Sequence, residues 1–298
     1  MEQSGVYTIH MKGRVGLPET IRKLSPEGSF RQPMISRNGD EVVFWGRQAG
    51  ETGFNIWRCD GGGENPVKLT DMEAISGHPF WSPDGKHIVF FSTYGLSSDT
   101  EWKMENEFNL DRSPRNIWIM ESDGNDRRRL TDGRHVDERP CISPDGKHVV
   151  FVSDRSGSMN LWSLSTDTKK LEQVTQHPGL DYRPIFSPNG DRLAFFTTNN
   201  PAGNHALCIM GWPDGDASFP LPPGTFKWAH GPFWLADGKS LLLHGVAATG
   251  GECALWLLDL QDKRVERIEL PGVPWHAHGS LDASETILAF DSRHDLRK

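Results

Sequence analysis

A hairpin motif that recurs along almost the whole chain constrains the fold more than any other feature. Its clearest copy spans residues 139–153, where Ser143-Pro144-Asp145-Gly146 separates a short strand from a second strand rich in valine and phenylalanine. Proline presets a negative φ and glycine accepts a positive one, so these four residues favour a tight turn. A supersecondary unit that returns at a nearly constant period indicates a repeat architecture.

Five copies of this turn and a degenerate sixth are present. The five glycines, at positions 39, 85, 146, 190 and 238, are separated by 44–61 residues. Most copies are followed by a third strand, such as Asn55-Ile56-Trp57 or Asn160-Leu161-Trp162, and then by a fourth that ends near a Leu-Thr or Val-Thr pair. Four strands in a period of this length are typical of one blade of a β-propeller.

The two ends of the chain complete one another. The last unit contains only two strands, within residues 273–298, and residues 1–25 contain the two strands that it lacks. A blade shared in this way closes the ring and removes exposed sheet edges. We therefore predict an all-β fold: a single six-bladed β-propeller over residues 1–298, with the last blade completed by the N-terminal strands.

One unit is longer than the others because of an insertion at about residues 93–115, between its second and third strands. In a blade whose strands run up and down, this loop lies on the same face as the start of the first strand. We expect the insertion to overhang the channel mouth on that face, because ligand-binding loops are common in such positions.

Charge and hydropathy exclude several classes of partner. The chain has 298 residues, a formal net charge of −8 and one short arginine run at residues 127–129. This pattern argues against DNA or RNA as a partner. No stretch reaches the roughly 18 apolar residues that a spanning helix needs, and the first residues do not resemble a leader. We expect a cytoplasmic protein without membrane insertion, or a periplasmic one if a leader has been removed.

Residues just before the first strand of each blade are expected to line the mouth of the central channel. We align the six units on Pro33, Pro79, Pro140, Pro184, Pro232 and Ser280. The preceding positions then gather a set of polar residues: Arg31, Gln32, His78, Asp137, Glu138, Arg139, Asp181, Tyr182 and Arg183. Two interpretations stay open. The charges pair with one another around water, or the arginines bind the carboxylates of an anionic ligand in bidentate fashion.

Three histidines near the predicted channel mouth form the most specific candidate site. His276 and His278 alternate along an extended strand and are expected to point the same way. In this alignment His230, in the neighbouring blade, occupies the position that is equivalent to His278. Three imidazoles with an open position suit Zn²⁺, Mn²⁺ or a similar ion, so the pattern predicts one divalent metal site. Single histidines are interpreted as ordinary surface or strand residues, among them His177, His205 and His244.

The repeated unit resembles the propeller repeats of TolB and its relatives. The shared pattern is Pro-x-x-Ser-Pro-Asp-Gly-Lys, followed by Asn-Ile-Trp and then Leu-Thr, and it extends over essentially the whole chain. TolB is a periplasmic protein with an additional N-terminal domain, whereas we expect an isolated propeller here. Propellers with such repeats serve as docking platforms, gates and enzymes, so the resemblance implies the fold and leaves the function open. Our first hypothesis is a non-catalytic platform that binds a protein segment or a small anionic ligand at the channel mouth.

The histidines also look like those of oligogalacturonate lyases, which are propellers with a metal site in the channel and a His-x-His near the C-terminus. This resemblance implies a metal that neutralises a uronate carboxylate, held by His230, His276 and His278. It also implies a proton acceptor, His78 or His135, and a cation that steadies the developing charge, Arg139 or Arg183. Our second hypothesis is a metal-dependent lyase or hydrolase that acts on an acidic oligosaccharide.

Overall fold

The computed structural model describes residues 4–63, 65–71, 74–96, 113–200 and 205–293. Within these ranges the regular structure is β-strand in six sheets, apart from one short 3₁₀ helix, Pro18–Thr20. Each sheet is one blade, and neighbouring blades pack around a central channel. The predicted all-β, six-bladed propeller is confirmed. Most of the predicted insertion lies outside the described residues.

The strands follow one another in chain order, and each complete blade begins with its innermost strand. The N-terminal strands are β1 (Gly5–Lys12), β2 (Val15–Gly16) and β3 (Arg22–Lys23). Blade one contains β4 (Gly28–Ile35), β5 (Glu41–Gln48), β6 (Asn55–Asp60) and β7 (Val67–Lys68). Blade two contains β8 (Ser76–Trp81), β9 (His87–Ser92), β10 (Asn116–Glu121) and β11 (Arg128–Arg129). Blade three contains β12 (Asp137–Ile142), β13 (His148–Ser153), β14 (Asn160–Ser165) and β15 (Leu171–Gln173).

The remaining blades repeat this order. Blade four contains β16 (Asp181–Phe186), β17 (Arg192–Thr197), β18 (Ala206–Gly211) and β19 (Ala217–Ser218). Blade five contains β20 (Phe226–Trp234), β21 (Ser240–Ala247), β22 (Ala254–Asp259) and β23 (Val265–Arg267). Blade six begins with β24 (Ala277–Leu281) and β25 (Ile287–Ser292). It is completed by β1, which pairs antiparallel with β25, and by β3, which pairs with β1. The predicted closure by two strands from each end of the chain is confirmed.

The turn between the first two strands of a blade shows why the Ser-Pro-Asp-Gly sequence recurs. In blade two, Ser82 Oγ donates to Asp84 Oδ1 (2.6 Å) and accepts the backbone N–H of His87 (2.9 Å). Asp84 also accepts the backbone N–H of Lys86 (3.1 Å), and Gly85 takes a φ of 70°. Blade three repeats these contacts at residues 143–148. Because a hairpin turn sets the register, each first strand presents equivalent positions to the channel.

Apolar side chains between neighbouring blades form the core. One cluster joins the first three blades and includes Trp45, Phe91 and Phe151. Another joins blades five and six and includes Leu255 and Phe290. Full burial of one such side chain stabilises the fold by about 1.5–3 kcal/mol. Packing of this kind around the whole ring holds the innermost strands, and therefore the channel, in one arrangement.

Candidate functional site

Each innermost strand contains a two-residue bulge. In blade one the pairing register skips from Arg31 to Met34, which leaves Gln32 and Pro33 in the bulge. The other five blades show the same irregularity. The first bulge residue has a φ of 48–61° in every blade, and these six residues are called the channel ring: Gln32, His78, Arg139, Arg183, Gly231 and His278.

All six channel-ring residues line one cavity of about 100 Å³. Five of them are not glycine, and an L-residue in left-handed backbone costs about 1–2 kcal/mol. Such conformations persist where the surrounding structure enforces them, and they cluster at functional sites. The bulge therefore directs one residue of each blade to the channel, with a side chain in every blade except blade five, where the residue is Gly231.

The structure corrects the predicted alignment of blade six. Its register skips from Ala277 to Ser280, so His278 is the channel-ring residue and Gly279 stands where the other blades have proline. The residue of blade five that corresponds to His278 is Gly231, whereas His230 precedes the bulge. The sequence alignment is shifted by one position in blade six because that blade lacks the proline used as its anchor.

Arg139 is held in the channel ring by a buried acid. Its Nε lies 3.3 Å from Glu138 Oε1, and Arg115 Nη1 lies 3.4 Å from Glu138 Oε2. Both Glu138 and Arg115 are buried. The Arg139 guanidinium also lies over the ring of Tyr182, 5.8 Å from its centroid. One carboxylate therefore orients two guanidinium groups, and an aromatic face supports the one that lines the cavity.

Arg183 reaches across blade five to blade six. Its Nη2 donates to His278 Nε2 (3.1 Å), and His278 Nδ1 donates to the two oxygens of Asp291 (2.9 and 3.2 Å). Because arginine only donates, Nε2 accepts and the imidazole is neutral with its proton on Nδ1. Gly231 leaves the space for this contact: a Cβ there would lie 2.7 Å from His244 Nδ1 and 3.8 Å from Arg183 Nη1. The His244 ring packs against that of His278, with centroids 4.3 Å apart.

Two channel-ring residues carry polar atoms without a partner among the described residues. Gln32 Oε1 accepts the indole N–H of Trp45 at 2.6 Å. Since an indole only donates, this bond fixes the orientation of the amide, and the buried Nε2 is left without an acceptor. His78 Nδ1 is also buried and unpartnered. Burial, and then the cations of nearby arginines, lower the pKa of His78 well below its usual value, so its ring is neutral at pH 7.

Other predicted site residues lie outside this cavity. Arg31 precedes the bulge and lies over the indole of Trp45, 5.6 Å from its centroid. Three residues that do not line the cavity have partners of their own: Asp137 with Arg155 (2.6 Å), Asp181 with His177 (3.2 Å) and His135 with Asp154 (3.4 Å). Asp137 and Asp181 stand at the starts of their strands, two residues before the channel-ring residues Arg139 and Arg183.

Sequence reasoning missed His244 and Asp291, although a signal was present. Both residues pair with the position just before the bulge, opposite His230 and Ala277. At this position of the second strand the other four blades carry apolar residues: Trp45, Phe91, Val152 and Phe196. A polar residue at a repeat position that is otherwise apolar marks a local function, because burying it requires a partner. Here the partner is the channel-ring residue of blade six.

The predicted metal ligands do not meet. His276 is buried, with Nδ1 3.3 Å from the Val273 carbonyl oxygen, and it does not line the cavity. The bulge at His278 breaks the strand alternation on which the prediction depended, and both nitrogens of His278 already have partners. In the described ranges no three His, Cys, Asp or Glu side chains are placed to hold a metal ion. The predicted set of His230, His276 and His278 therefore does not fit Zn²⁺ or Mn²⁺.

A second, larger cavity of about 450 Å³ lies among the Ser-Pro-Asp-Gly turns on the opposite face. Four residues line both cavities and separate them: Met34, Phe80, Ile185 and Phe233. These side chains form an apolar layer across the channel. The channel ring therefore borders an apolar layer on the side of these turns.

Comparison with known proteins shows which propellers this chain is similar to. Residues 108–210 match the family described as TolB beta propeller domain. A TolB homolog from Chlorobium chlorochromatii (strain CaD3) is 28% identical over 142 residues, which are 39% of this chain and 32% of the relative. A TolB homolog from Chlorobium luteolum (strain DSM 273 / BCRC 81028 / 2530) is 26% identical over 189 residues, 53% of this chain and 42% of the relative. The match therefore spans less than half the length of either relative.

Solved structures extend the comparison to the whole chain. The putative TolB from Agrobacterium tumefaciens has a TM-score of 0.73 at 16% identity and covers 97% of this chain and 98% of its own. An oligogalacturonate lyase in complex with manganese has a TM-score of 0.61 at 13% identity and covers 93% and 81%. Identities this low show a shared fold alone. The predicted resemblance to TolB-type propellers is confirmed, and the likeness to the lyase is limited to the fold.

The prediction of a cytoplasmic protein is wrong. The relatives that match this chain are TolB homologs, and TolB is a periplasmic protein. Among the residues described, no helix combines the length and the apolar character that crossing a bilayer requires.

Proposed function

We propose that this protein is a binding platform whose channel mouth binds an anionic group of a protein segment. The TolB-type propeller fold supports a platform role in general. The observation that carries the proposal is the convergence of Arg139 and Arg183 on one cavity, each oriented by its own network of buried partners. Guanidinium groups held in this way suit bidentate contacts with carboxylates.

Among the described residues that line the cavity, the charged side chains are those of Arg139 and Arg183, and the two histidines of the ring are neutral. Guanidinium groups at this place contrast with the formal charge of −8 that the chain carries as a whole. Charges that line a narrow channel are weakly screened and raise the local concentration of oppositely charged ligands.

Aromatic side chains next to Arg139 add a surface for apolar contacts. Tyr182 stacks on His205 with centroids 5.3 Å apart and planes inclined by 19°. His230 lies against Tyr182 (6.3 Å) and against Trp228 (5.8 Å). Tyr182 and Trp228 are both partly exposed. Tyrosine and tryptophan beside arginine are typical of protein-binding surfaces, which supports a protein segment as the ligand.

The lyase hypothesis lacks the arrangement that it needs. Its three metal ligands are not assembled, and His135, one of its two candidate bases, pairs with Asp154 away from the cavity. The site therefore supports binding better than metal-assisted proton abstraction.

A titration with an acidic peptide tests the proposal. The probe is Ac-Ala-Asp-Ala-Glu-Ala with a free carboxyl end, and the neutral control is the Asn/Gln analogue with an amidated end. We expect the acidic peptide to bind more tightly, and Arg139→Gln/Arg183→Gln to weaken it by about tenfold or more, because two charge-assisted bonds are lost. Arg128→Gln, at an exposed arginine of β11, is the matched control and leaves the affinity unchanged. Equal binding of the two peptides, or full affinity in the double variant, contradicts the proposal.

A further inference from the structure

The channel ring bounds a cavity of about 100 Å³, which has room for a carboxylate. Below the channel ring, the apolar layer that includes Phe80 and Phe233 offers no partner to a charge. A charged group therefore stops at the ring.

The side chains that line this cavity favour a ligand that accepts hydrogen bonds. Gln32 Nε2 has its donor hydrogens directed away from Trp45 and lacks a protein acceptor among the described residues. Arg139 and Arg183 add donors from blades three and four. An ionised carboxylate is a pure acceptor with about four lone-pair positions, so it complements donors that arrive from several blades.

We infer that the channel ring receives the terminal carboxylate of an extended peptide, which enters end-on from the mouth and is bound by Gln32, Arg139 and Arg183. This inference rests on the proposed function and narrows it to one chemical group. Gly231 leaves one side of the ring without a side chain of its own, and Arg183 lies beside that space. The six channel-ring residues therefore surround the cavity, one from each blade.

The path from the mouth to the channel ring favours a chain end. A C-terminus brings a single run of backbone down the channel, and its carboxylate is the leading group. An aspartate or glutamate within a chain has backbone on both sides, and both runs have to pass the mouth before the carboxylate reaches the ring. The second run takes more peptide N–H and C=O groups out of water, and each of them then needs a partner at the mouth.

Three short peptides separate these possibilities. They are Ac-Ala-Ser-Ala-Ala with a free carboxylate, the same peptide amidated, and amidated Ac-Ala-Glu-Ala-Ala, which carries its carboxylate internally. Binding is followed by NMR through the Nε–H signals of Arg139 and Arg183. We expect the free-carboxylate peptide to bind about tenfold more tightly than the other two. Gln32→Glu keeps an acceptor for Trp45 but places a like charge in the cavity, and it weakens that peptide about tenfold. Gln261→Glu makes the same charge change at an exposed turn and serves as the control.

Each outcome decides the question. Equal affinities for free and amidated peptides overturn the end-on inference, as does tighter binding of the internal glutamate. If the internal glutamate binds more tightly and its binding depends on the arginines, the platform proposal stands, whereas equal affinities for the free and amidated forms of the neutral sequence contradict that proposal too. Tighter binding of inorganic phosphate than of the free-carboxylate peptide rejects the assignment to a carboxylate. Failure of every peptide to bind the wild-type protein at about 10 mM, or binding that Arg139→Gln/Arg183→Gln leaves intact, overturns the inference and the proposed function together. The comparison of peptides on the wild-type protein needs no variant to fold.

Discussion

The buried His276 makes the stability of the protein depend on pH by an amount that follows from the structure. The residue is 1% exposed, its Nδ1 donates to the Val273 carbonyl oxygen at 3.3 Å, and its Nε2 has no partner among the described residues. Burial lowers the pKa of His276 from 6.5 to about 4, against the opposing effect of the Val273 bond. The unfolded chain therefore binds a proton at this residue more readily than the folded chain does.

The sign and the size of the effect follow from that difference. The contribution of His276 to the free energy of unfolding is complete above the unfolded-state pKa of 6.5 and is lost as the pH falls towards 4. At about 1.4 kcal/mol for each tenfold difference in proton affinity, the loss reaches about 3 kcal/mol. His276→Asn removes the titrating group and keeps an N–H donor near the Val273 oxygen. We expect this variant to lose about 3 kcal/mol less than the wild type between pH 7 and pH 4.

Urea unfolding, followed by tryptophan fluorescence at several pH values between about 7 and 4, measures the free energy of unfolding for both proteins. Other groups also titrate in this range, but they contribute equally to the wild type and the variant, so the difference isolates His276. His10→Asn, at an exposed residue of β1, controls for the loss of an imidazole from the surface. Parallel losses of stability in the wild type and His276→Asn would refute the reasoning, because they would show that His276 is charged in the folded state.

Two further predictions concern the channel ring. Arg139→Gln raises the pKa of His78, because a nearby cation that opposes its protonation is removed; a pH titration of the imidazole NMR signals measures this, and an unchanged pKa contradicts the geometry. Gly231→Ala destabilises the protein by about 1–3 kcal/mol more than Gly13→Ala. Both glycines have a φ near 60°, but only at position 231 does a Cβ meet His244, so equal losses on thermal unfolding contradict the predicted clash.

The blades could be predicted because their signals are local. In the turn of blade two, serine and aspartate bond to backbone groups within five residues of Ser82, and the following glycine supplies the positive φ. Such contacts depend only on neighbours in the chain. The two incomplete ends also complement each other in strand type, so the pairing of β1 with β25 could be inferred without coordinates.

The geometry of the channel could be predicted only in part. The proline of the bulge marks the channel-ring residue in five blades, which is why His78, Arg139 and Arg183 were found. Blade six has glycine in that place, and its alignment was one residue out. A shift of one residue moves a side chain to the opposite face of a strand, so this error placed His230 with His278, while the unforeseen bulge broke the alternation that paired His276 with His278.

The amino-acid sequence by itself determined the number of blades, the turns that join their strands and the closure of the ring, since each follows from interactions within a repeat or from complementary chain ends. Only the tertiary structure decided which side chains meet in the channel. Arg183 bonds to His278 over Gly231, and Gln32 is oriented by Trp45. These contacts join residues of different strands or blades, and the positive φ of the channel-ring residues sets the direction of their side chains. Neither the distance between blades nor the sign of φ at a non-glycine residue can be read from a repeat pattern.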